Sequence, residues 1–443
     1  MKIHLENAAY GVLDYAAYPV GMLLVAPVAL HKLGIPEYGV WTLATAAVST
    51  GGIIASGFGD ANIQHVASHR SSADKRALAS AVRSMMAINL TLGVLLALTG
   101  WLLAPDAAQH IAASDPALQR PCLLALRIAS LLMLVRALES VSISTLRAFE
   151  RYGAAVRISI AVRLLTLAIA AMLASSGRGT VSIMEATAVL MALGTCAQFY
   201  RLHRFLGSFS LWPLFHRSAT TALFGFGIFS WLQAIAGVIF GQIDRLLLGV
   251  SLGAAAVASY ALCIQLALPI FGLTAAGLHF LFPYLAGRVS HISTREFKRT
   301  LTWAFAANLL IVSTSAALLL LFGDRVLHAW AGAAVARAAA PVFPLIVVGS
   351  SLLGLSVTGT YTMLALGRVR TVASFSIAGG ATMLAAMWWL LPGDGVHGLA
   401  IARLFYGFVS LLLYLPLIRA VGARRLIAAR TPALSELQEA TPL

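Results

Sequence analysis

Apolar stretches of about 18 or more residues, enough to cross roughly 30 Å of hydrocarbon as a helix, recur along the whole chain. Twelve can be marked, at 9–30, 40–59, 84–104, 121–143, 156–175, 182–200, 221–243, 252–284, 300–322, 341–366, 371–391 and 397–418. Backbone groups in lipid must find their hydrogen bonds internally, which leaves helices rather than open strands. The pattern predicts an all-α integral membrane protein with about twelve transmembrane helices. Composition agrees: 60% of the 443 residues are hydrophobic, 11% are charged and mean hydropathy is +0.87, too little polar surface for a soluble fold. The first stretch is longer than a signal-peptide core and has no small-residue cleavage site after it, so it reads as the first span.

A formal net charge of +15 raises nucleic acid as a partner, but the positions of the cations argue against it. With the N-terminus inside, alternating loops and tails collect 22 of the 31 Lys and Arg residues on the inner side, among them Arg147, Arg151, Arg157 and Arg163 after the fourth span and Arg201, Arg204 and Arg217 after the sixth. Six lie on the other side, and Arg127, Arg136 and Arg403 fall within spans. Such asymmetry places both termini in the cytoplasm and explains the basic balance as topology. Cys122, Cys196 and Cys263 stand singly in apolar segments with neither metal-ligand nor pairing spacing, and read as packing residues. No cofactor or metal is implied.

The chain echoes itself. "LGIPEYGVWTLA" from Leu33 and "LGAAAVASYALC" from Leu252 each follow an odd-numbered span, open on Leu-Gly and place an aromatic, Trp41 or Tyr260, eight residues later; their offset is 219. "LRAFERYGAAVR" from Leu146 and "MLALGRVRTVAS" from Met363 both leave a span through a basic turn at an offset of 217. A near-constant offset predicts two six-helix lobes, 1–210 and 211–425, with a cytoplasmic tail at 426–443. Six spans per lobe make the repeats parallel, with a central cavity between them that suits alternating access. The longest outward loop is expected at about Pro105 to Arg120.

The charges inside the membrane are the informative exceptions. Asp244 and Arg245 stand in an apolar run from Leu223 to Ala286 that holds no other charge, at the expected outer end of the seventh span. Consecutive residues point about 100° apart on a helix, so the two are not an ion pair with each other. They serve either as boundary residues that bind neighbouring helix ends or, for Arg245, as lining of the outer mouth. Arg127, Arg136 and Arg403 lie deeper, and each would cost roughly 2.5–3.5 kcal/mol facing lipid at the bilayer centre. They are expected to face the protein interior or a wet cavity. Glu139, three residues after Arg136 on the same helical face, can neutralise it. Arg127 and Arg403 have no local acid and are either cavity-lining cations or partners of acids from other helices. Asp14 in the first span is either a coupling carboxylate for a proton or sodium ion or the partner of an arginine. His279, Asn308, Gln233, Gln242 and Gln265 add isolated polar points. Pro19, Pro27, Pro269 and Pro283 are expected to break spans one and eight, and Gly225, Gly227, Gly237 and Gly241 to permit bending in span seven.

These stretches resemble the polysaccharide transporter branch of the multidrug/oligosaccharidyl-lipid/polysaccharide exporter superfamily, the Wzx-like O-antigen and exopolysaccharide flippases. The likeness runs through "GIPEYGVWTLATA", "LRAFERYGAAVR", "QIDRLLLGVSLGAAAVASYALCIQLALP", "FPYLAGRVS", "LALGRVRTVASFS" and "GDGVHGLAIARLFYG", in order along nearly the whole chain. It implies a multi-pass protein of the bacterial inner membrane that moves an undecaprenyl-pyrophosphate-linked oligosaccharide from the inner to the outer leaflet. Its partners would be membrane lipids, a proton or sodium counter-ion and a glycan polymerase. Arginine suits such cargo, because it stays charged and its planar fork matches phosphate oxygens.

A multidrug exporter and a lipid-linked peptidoglycan precursor flippase of the same superfamily are the nearest alternatives. A cationic-drug exporter calls for acids in the cleft, whereas more bases than acids lie within these spans. The peptidoglycan group resembles fourteen-span proteins. A major facilitator would carry a Gly-x-x-x-Asp-Arg loop after its second span, and "GFGDANIQHVASHR" lacks the matching Arg. A glycan polymerase or acyltransferase would need positioned nucleophile, acid and base groups. Asp106, His110 and Asp115 alone supply no such arrangement.

Overall fold

The computed structural model describes residues 2–59, 62, 63, 66, 75–149, 151–207, 211–278, 281–286 and 293–421. Its helices are α1 (Lys2–Leu33), α2 (Ile35–Ser56), α3 (Lys75–Ile111), α4 (Pro116–Ala148), α5 (Tyr152–Ser175), α6 (Thr180–Leu206), α7 (Arg217–Leu252), α8 (Ala254–Leu278), α9 (Leu281–Ala286), α10 (Thr294–Ala331), α11 (Ala333–Ala339), α12 (Phe343–Ala365) and α13 (Val369–Leu411). Where described, the twelve predicted spans fall mainly on helix. Spans one to seven lie on α1 to α7, the eighth on α8 and α9, the ninth on α10 and the tenth on α12. The last two lie on α13 and the helical stretch behind it, divided by Gly395 (φ 55°, ψ −129°). Among the described residues nine helical segments are long and apolar enough to cross a membrane. The break at Gly395 makes two of one of them, and α1 and α7 complete the twelve.

The helices run further than the apolar stretches suggest. In place of a sixteen-residue outward loop, α3 continues to Ile111 and only residues 112–115 separate it from α4. Asp115 caps α4 by accepting a hydrogen bond from Ala117 N–H at 3.1 Å, and Pro116 occupies the first turn, where its missing N–H costs nothing. Asp106 and His110 are therefore helical residues of α3. The seventh span likewise extends to Leu252, which places Asp244 and Arg245 two turns inside α7 rather than at the turn back. Helix α1 continues through Pro19 and Pro27, and α8 through Pro269.

The echoed motifs fold alike. Gly34 and Gly253, each following Leu, adopt φ of 79° and 83°, a region open to glycine and strained for other residues, and each starts the next helix. The two motifs also meet: a Cβ on Gly39 would lie 1.8 Å from the Ala254 carbonyl oxygen, so only glycine allows α2 and α8 to approach this closely. At the other offset, Arg151 N–H donates to Leu146 O at 3.1 Å and Arg368 N–H donates to Met363 O at 3.0 Å. The two arginines precede α5 and α13 with φ/ψ of −96°/58° and −91°/47°.

The chain forms two compact units. Unit 1 comprises Met1–Gln265 with His328–Ala338, and unit 2 comprises Leu266–Leu327 with Ala339–Leu443. In unit 1 the returning segment is tied down where Trp330 Nε1 donates to Leu23 O at 2.9 Å. Unit 1 holds an apolar cluster around Phe58, Met85, Ile88, Val141 and Leu223, and unit 2 one around Leu281, Phe297, Met363, Leu413 and Leu417. Large apolar side chains also stand outside both, Trp388 at 84% and Trp389 at 81% exposure, as expected where lipid replaces water.

Candidate functional site

Unit 1 carries a polar cluster built from seven helices. On α4, Arg136 Nη1 donates to Glu139 Oε2 at 2.8 Å, the pair expected from their i,i+3 spacing. The second Glu139 oxygen accepts from Ser159 Oγ of α5 at 2.6 Å and from Gln198 Nε2 of α6 at 3.0 Å, while Gln198 Nε2 also reaches Ser159 Oγ at 2.8 Å. The carboxylate is buried and bonded on both oxygens, which holds three helices in register. Gly52 of α2 clears the space Arg136 lies across, since a Cβ there would be 3.3 Å from the arginine side chain.

The second part of the cluster is the Asp244–Arg245 step on α7. Asp244 is fully buried; its Oδ1 accepts from the Arg245 backbone N–H at 2.8 Å and its Oδ2 from the Tyr260 hydroxyl of α8 at 3.0 Å. The aspartate thus ties α7 to the echoed aromatic of α8. Arg245, pointing elsewhere on the helix, keeps a buried Nε with no hydrogen-bond partner among the described residues.

Tyr18 of α1 joins the two parts. Its hydroxyl reaches Thr45 of α2, and Arg245, Arg136 and Arg163 all act on it electrostatically. Tyr18 is 37% exposed. Arg136, Arg163 and Arg245, from α4, α5 and α7, thus share Tyr18 as an electrostatic neighbour, and Glu139, bonded to Arg136, acts on Arg163 as well.

Arg163 belongs to this set, although the spacing of charges groups it with the inward turn. It stands eleven residues into α5, roughly 17 Å along the helix at 1.5 Å per residue. The signal was its position inside the 156–175 apolar stretch. Arg127 lies apart from the cluster: nine residues separate it from Arg136, which turns it about 180° to the opposite face of α4. There its guanidinium stacks over Trp101 of α3, 4.8 Å from the ring centroid, with Nε buried and without a hydrogen-bond partner among the described residues. Arg403 lies in unit 2 on α13, partly buried and within electrostatic reach of Tyr406. The Asp14 side chain and His279 lie outside the described residues.

Unit 2 repeats the scaffold without the charges. At an offset of 217, Arg136, Glu139 and Ser159 correspond to Leu353, Ser356 and Ser376, which together with Tyr361, Tyr406 and Ser410 line a cavity of about 210 Å³. Among the described residues no group of three or more His, Cys, Asp or Glu side chains comes together to hold a metal ion.

The profile of the polysaccharide biosynthesis protein family matches residues 33–328, about two thirds of the chain. The chain belongs to that family. Its fold is that of the MOP-superfamily transporters. A multidrug resistance MATE family transporter in an inward-facing conformation is similar with a TM-score of 0.76 at 15% identity, over 94% of this chain and 99% of that one. The lipid II flippase MurJ in an inward closed conformation gives a TM-score of 0.74 at 13% identity, over 98% and 94%. A MOP-superfamily transporter from Pyrococcus furiosus, described as having a binding pocket of reversed polarity, gives 0.63 at 15% identity, over 96% of each chain. No curated protein matches the sequence.

Proposed function

We propose that this member of the polysaccharide biosynthesis family is a flippase. It moves an undecaprenyl-pyrophosphate-linked oligosaccharide, an O-antigen or exopolysaccharide repeat unit, from the cytoplasmic to the periplasmic leaflet of the bacterial inner membrane. The two six-helix lobes predicted from the sequence, 1–210 and 211–425, alternate access to the two sides, and both termini are cytoplasmic.

One observation carries the reading: Arg245 keeps a buried Nε without a hydrogen-bond partner among the described residues, in the same unit as the part-buried Arg136–Glu139 pair. Arg136, Arg163 and Arg245 stand with two buried carboxylates, Glu139 and Asp244, which leaves the cluster with one positive charge in excess, a field that suits a pyrophosphate and opposes a cationic drug. The two buried carboxylates are both engaged, Glu139 with Arg136, Ser159 and Gln198, and Asp244 with Tyr260 and the backbone. Neither is free to receive a cationic substrate, which places a multidrug exporter second despite the fold likeness. The polyprenyl tail remains in lipid while the headgroup follows the charge. Coupling to a proton or sodium counter-ion and delivery to a glycan polymerase complete the scheme, with Asp14, whose side chain lies outside the described residues, as the candidate acid for an ion.

Deletion of the gene tests this directly. Complete, unpolymerised lipid-linked repeat units should accumulate on the cytoplasmic leaflet, and the wild-type gene should clear them. Normal surface glycan together with a new sensitivity to cationic drugs would instead establish the exporter.

A further inference from the structure

A second basic site lies away from the cluster around Tyr18, where α4, α5 and the end of α6 meet. A pocket of about 390 Å³ is lined there by Leu146, Arg151, Tyr200, Arg201, Arg204 and Phe205. The Arg151 guanidinium lies over the Phe205 ring, 4.5 Å from its centroid, which fixes that cation at the pocket wall. Arg201 and Arg204 are exposed and stand i,i+3 on one face of α6, an arrangement of like charges that destabilises an isolated helix. Tyr200 beside them is 62% exposed. Among the described residues no acid lines the pocket.

The fold accounts for only part of this charge. The carbonyl end of α6 favours a base in its last turn, which explains Arg204. Arg151 has a counterpart in Arg368, so the turn itself carries an arginine in both halves of the chain. At the same offset of 217, however, Arg201 and Arg204 correspond to Ile418 and Val421. The repeated scaffold is thus complete without them, and three arginines face one water-accessible space with no acid among its described lining residues. Such a cluster, beside aromatic side chains at the end of a membrane helix, matches the chemistry of a lipid phosphate: guanidinium forks for the oxygens and rings against the apolar stem.

We propose that this pocket binds the phosphate-bearing headgroup of an anionic lipid. On the topology proposed above it opens to the inner leaflet. The phosphate has two sources there, the bulk anionic phospholipid and the polyprenyl pyrophosphate of the cargo, and the recognition chemistry is common to both.

The test uses full-length protein in phosphatidylcholine nanodiscs, titrated separately with phosphatidylglycerol and with undecaprenyl pyrophosphate. The Arg201→Gln/Arg204→Gln double variant should bind at least one of them about thirtyfold more weakly than wild type, taking roughly a factor of five per arginine. Arg368→Gln, at the counterpart of Arg151 in the other half of the chain, should leave both affinities unchanged. A loss confined to phosphatidylglycerol assigns the pocket to a bulk lipid, and a loss for undecaprenyl pyrophosphate assigns it to first capture of cargo. Equal binding of both lipids by wild type and double variant overturns the proposal. An unchanged thermal transition in phosphatidylcholine alone shows that the variant is folded, and the single variants, each about fivefold weaker, carry the same test if it is not. Binding is read without transport, so a protein that binds but does not flip refutes the flippase reading and leaves the pocket standing.

Discussion

Asn89 and Asn308 stand 219 residues apart and make the same hydrogen bonds in the two units. Asn89 Nδ2 donates to Ala137 O at 2.8 Å and to Ser140 Oγ at 2.6 Å; Asn308 Nδ2 donates to Gly354 O at 3.0 Å and to Thr358 Oγ1 at 3.0 Å. Both asparagines are fully buried, and their acceptors are separated by 217 and 218 residues. Even the packing beside them is matched with the partners exchanged: Gly93 lies against Ala137, and Val312 against Gly354. The duplication inferred from four short motifs therefore reaches buried hydrogen bonds that no motif contained.

Replacing either asparagine with alanine removes its buried hydrogen bonds to a helix carbonyl and a hydroxyl of the neighbouring helix. Asn89→Ala and Asn308→Ala should each lower stability by about 1–2 kcal/mol. The sites lie in separate units and share no partner, so the double variant should show the sum. Denaturant unfolding in detergent checks this, and a double-variant loss equal to either single one would contradict it.

Three glycines of α2 should respond differently to the same methyl group. At Gly39 the added Cβ meets the Ala254 backbone oxygen at 1.8 Å, which cannot move without shifting α8. At Gly51 it meets the flexible Met133 side chain at 2.4 Å, and at Gly52 it sits 3.3 Å from Arg136. Gly39→Ala should abolish folded yield, Gly51→Ala should retain most of it, and Gly52→Val should give folded protein with reduced translocation because Arg136 is displaced. Size-exclusion profiles and a transport assay read the three outcomes.

The Arg136–Glu139 pair should cost more to break than to remove. Glu139→Leu leaves a guanidinium without its carboxylate and two further donors, Ser159 and Gln198, without an acceptor. A loss of about 2–3 kcal/mol is expected, below the figure for a fully buried pair because Arg136 retains 29% exposure. Arg136→Leu/Glu139→Leu should regain part of that loss in thermal unfolding while losing transport. Separation of the two readouts identifies Arg136 as more than a structural partner.

Arg127→Ala and Arg403→Ala should each lower translocation with little loss of folded protein, as expected for intramembrane cations along an anion's route. Unchanged transport in the double variant removes both from the site and leaves Arg127 as the stacking partner of Trp101.

The architecture was legible because lipid enforces it: a run of apolar residues long enough to span has no alternative to helix, so α1 to α8, α10, α12 and both parts of α13 could be placed from length alone. Where helices end was less legible. Hydropathy stops at the membrane surface, whereas α3 continues to Ile111, four residues short of α4, and α7 continues to Leu252, where Gly253 with positive φ stops it. The site was legible in its residue types and not in its grouping. Spacing alone paired Arg136 with Glu139, and the same arithmetic separates Arg127 from Arg136. No local pattern could show that Tyr18 of α1 has Arg163 and Arg245 as electrostatic neighbours, because that depends on how helices far apart in sequence pack.

The account turns on the three guanidiniums around Tyr18 acting as an anion's path, and flipping of a fluorescent undecaprenyl-pyrophosphate-linked oligosaccharide in proteoliposomes measures that directly. Wild-type protein should translocate it. Arg163→Gln and Arg245→Gln should each slow translocation at least tenfold, while the folded fraction and the binding of a neutral lipid stay unchanged. Wild-type rates in the Arg163→Gln/Arg245→Gln double variant would contradict the account.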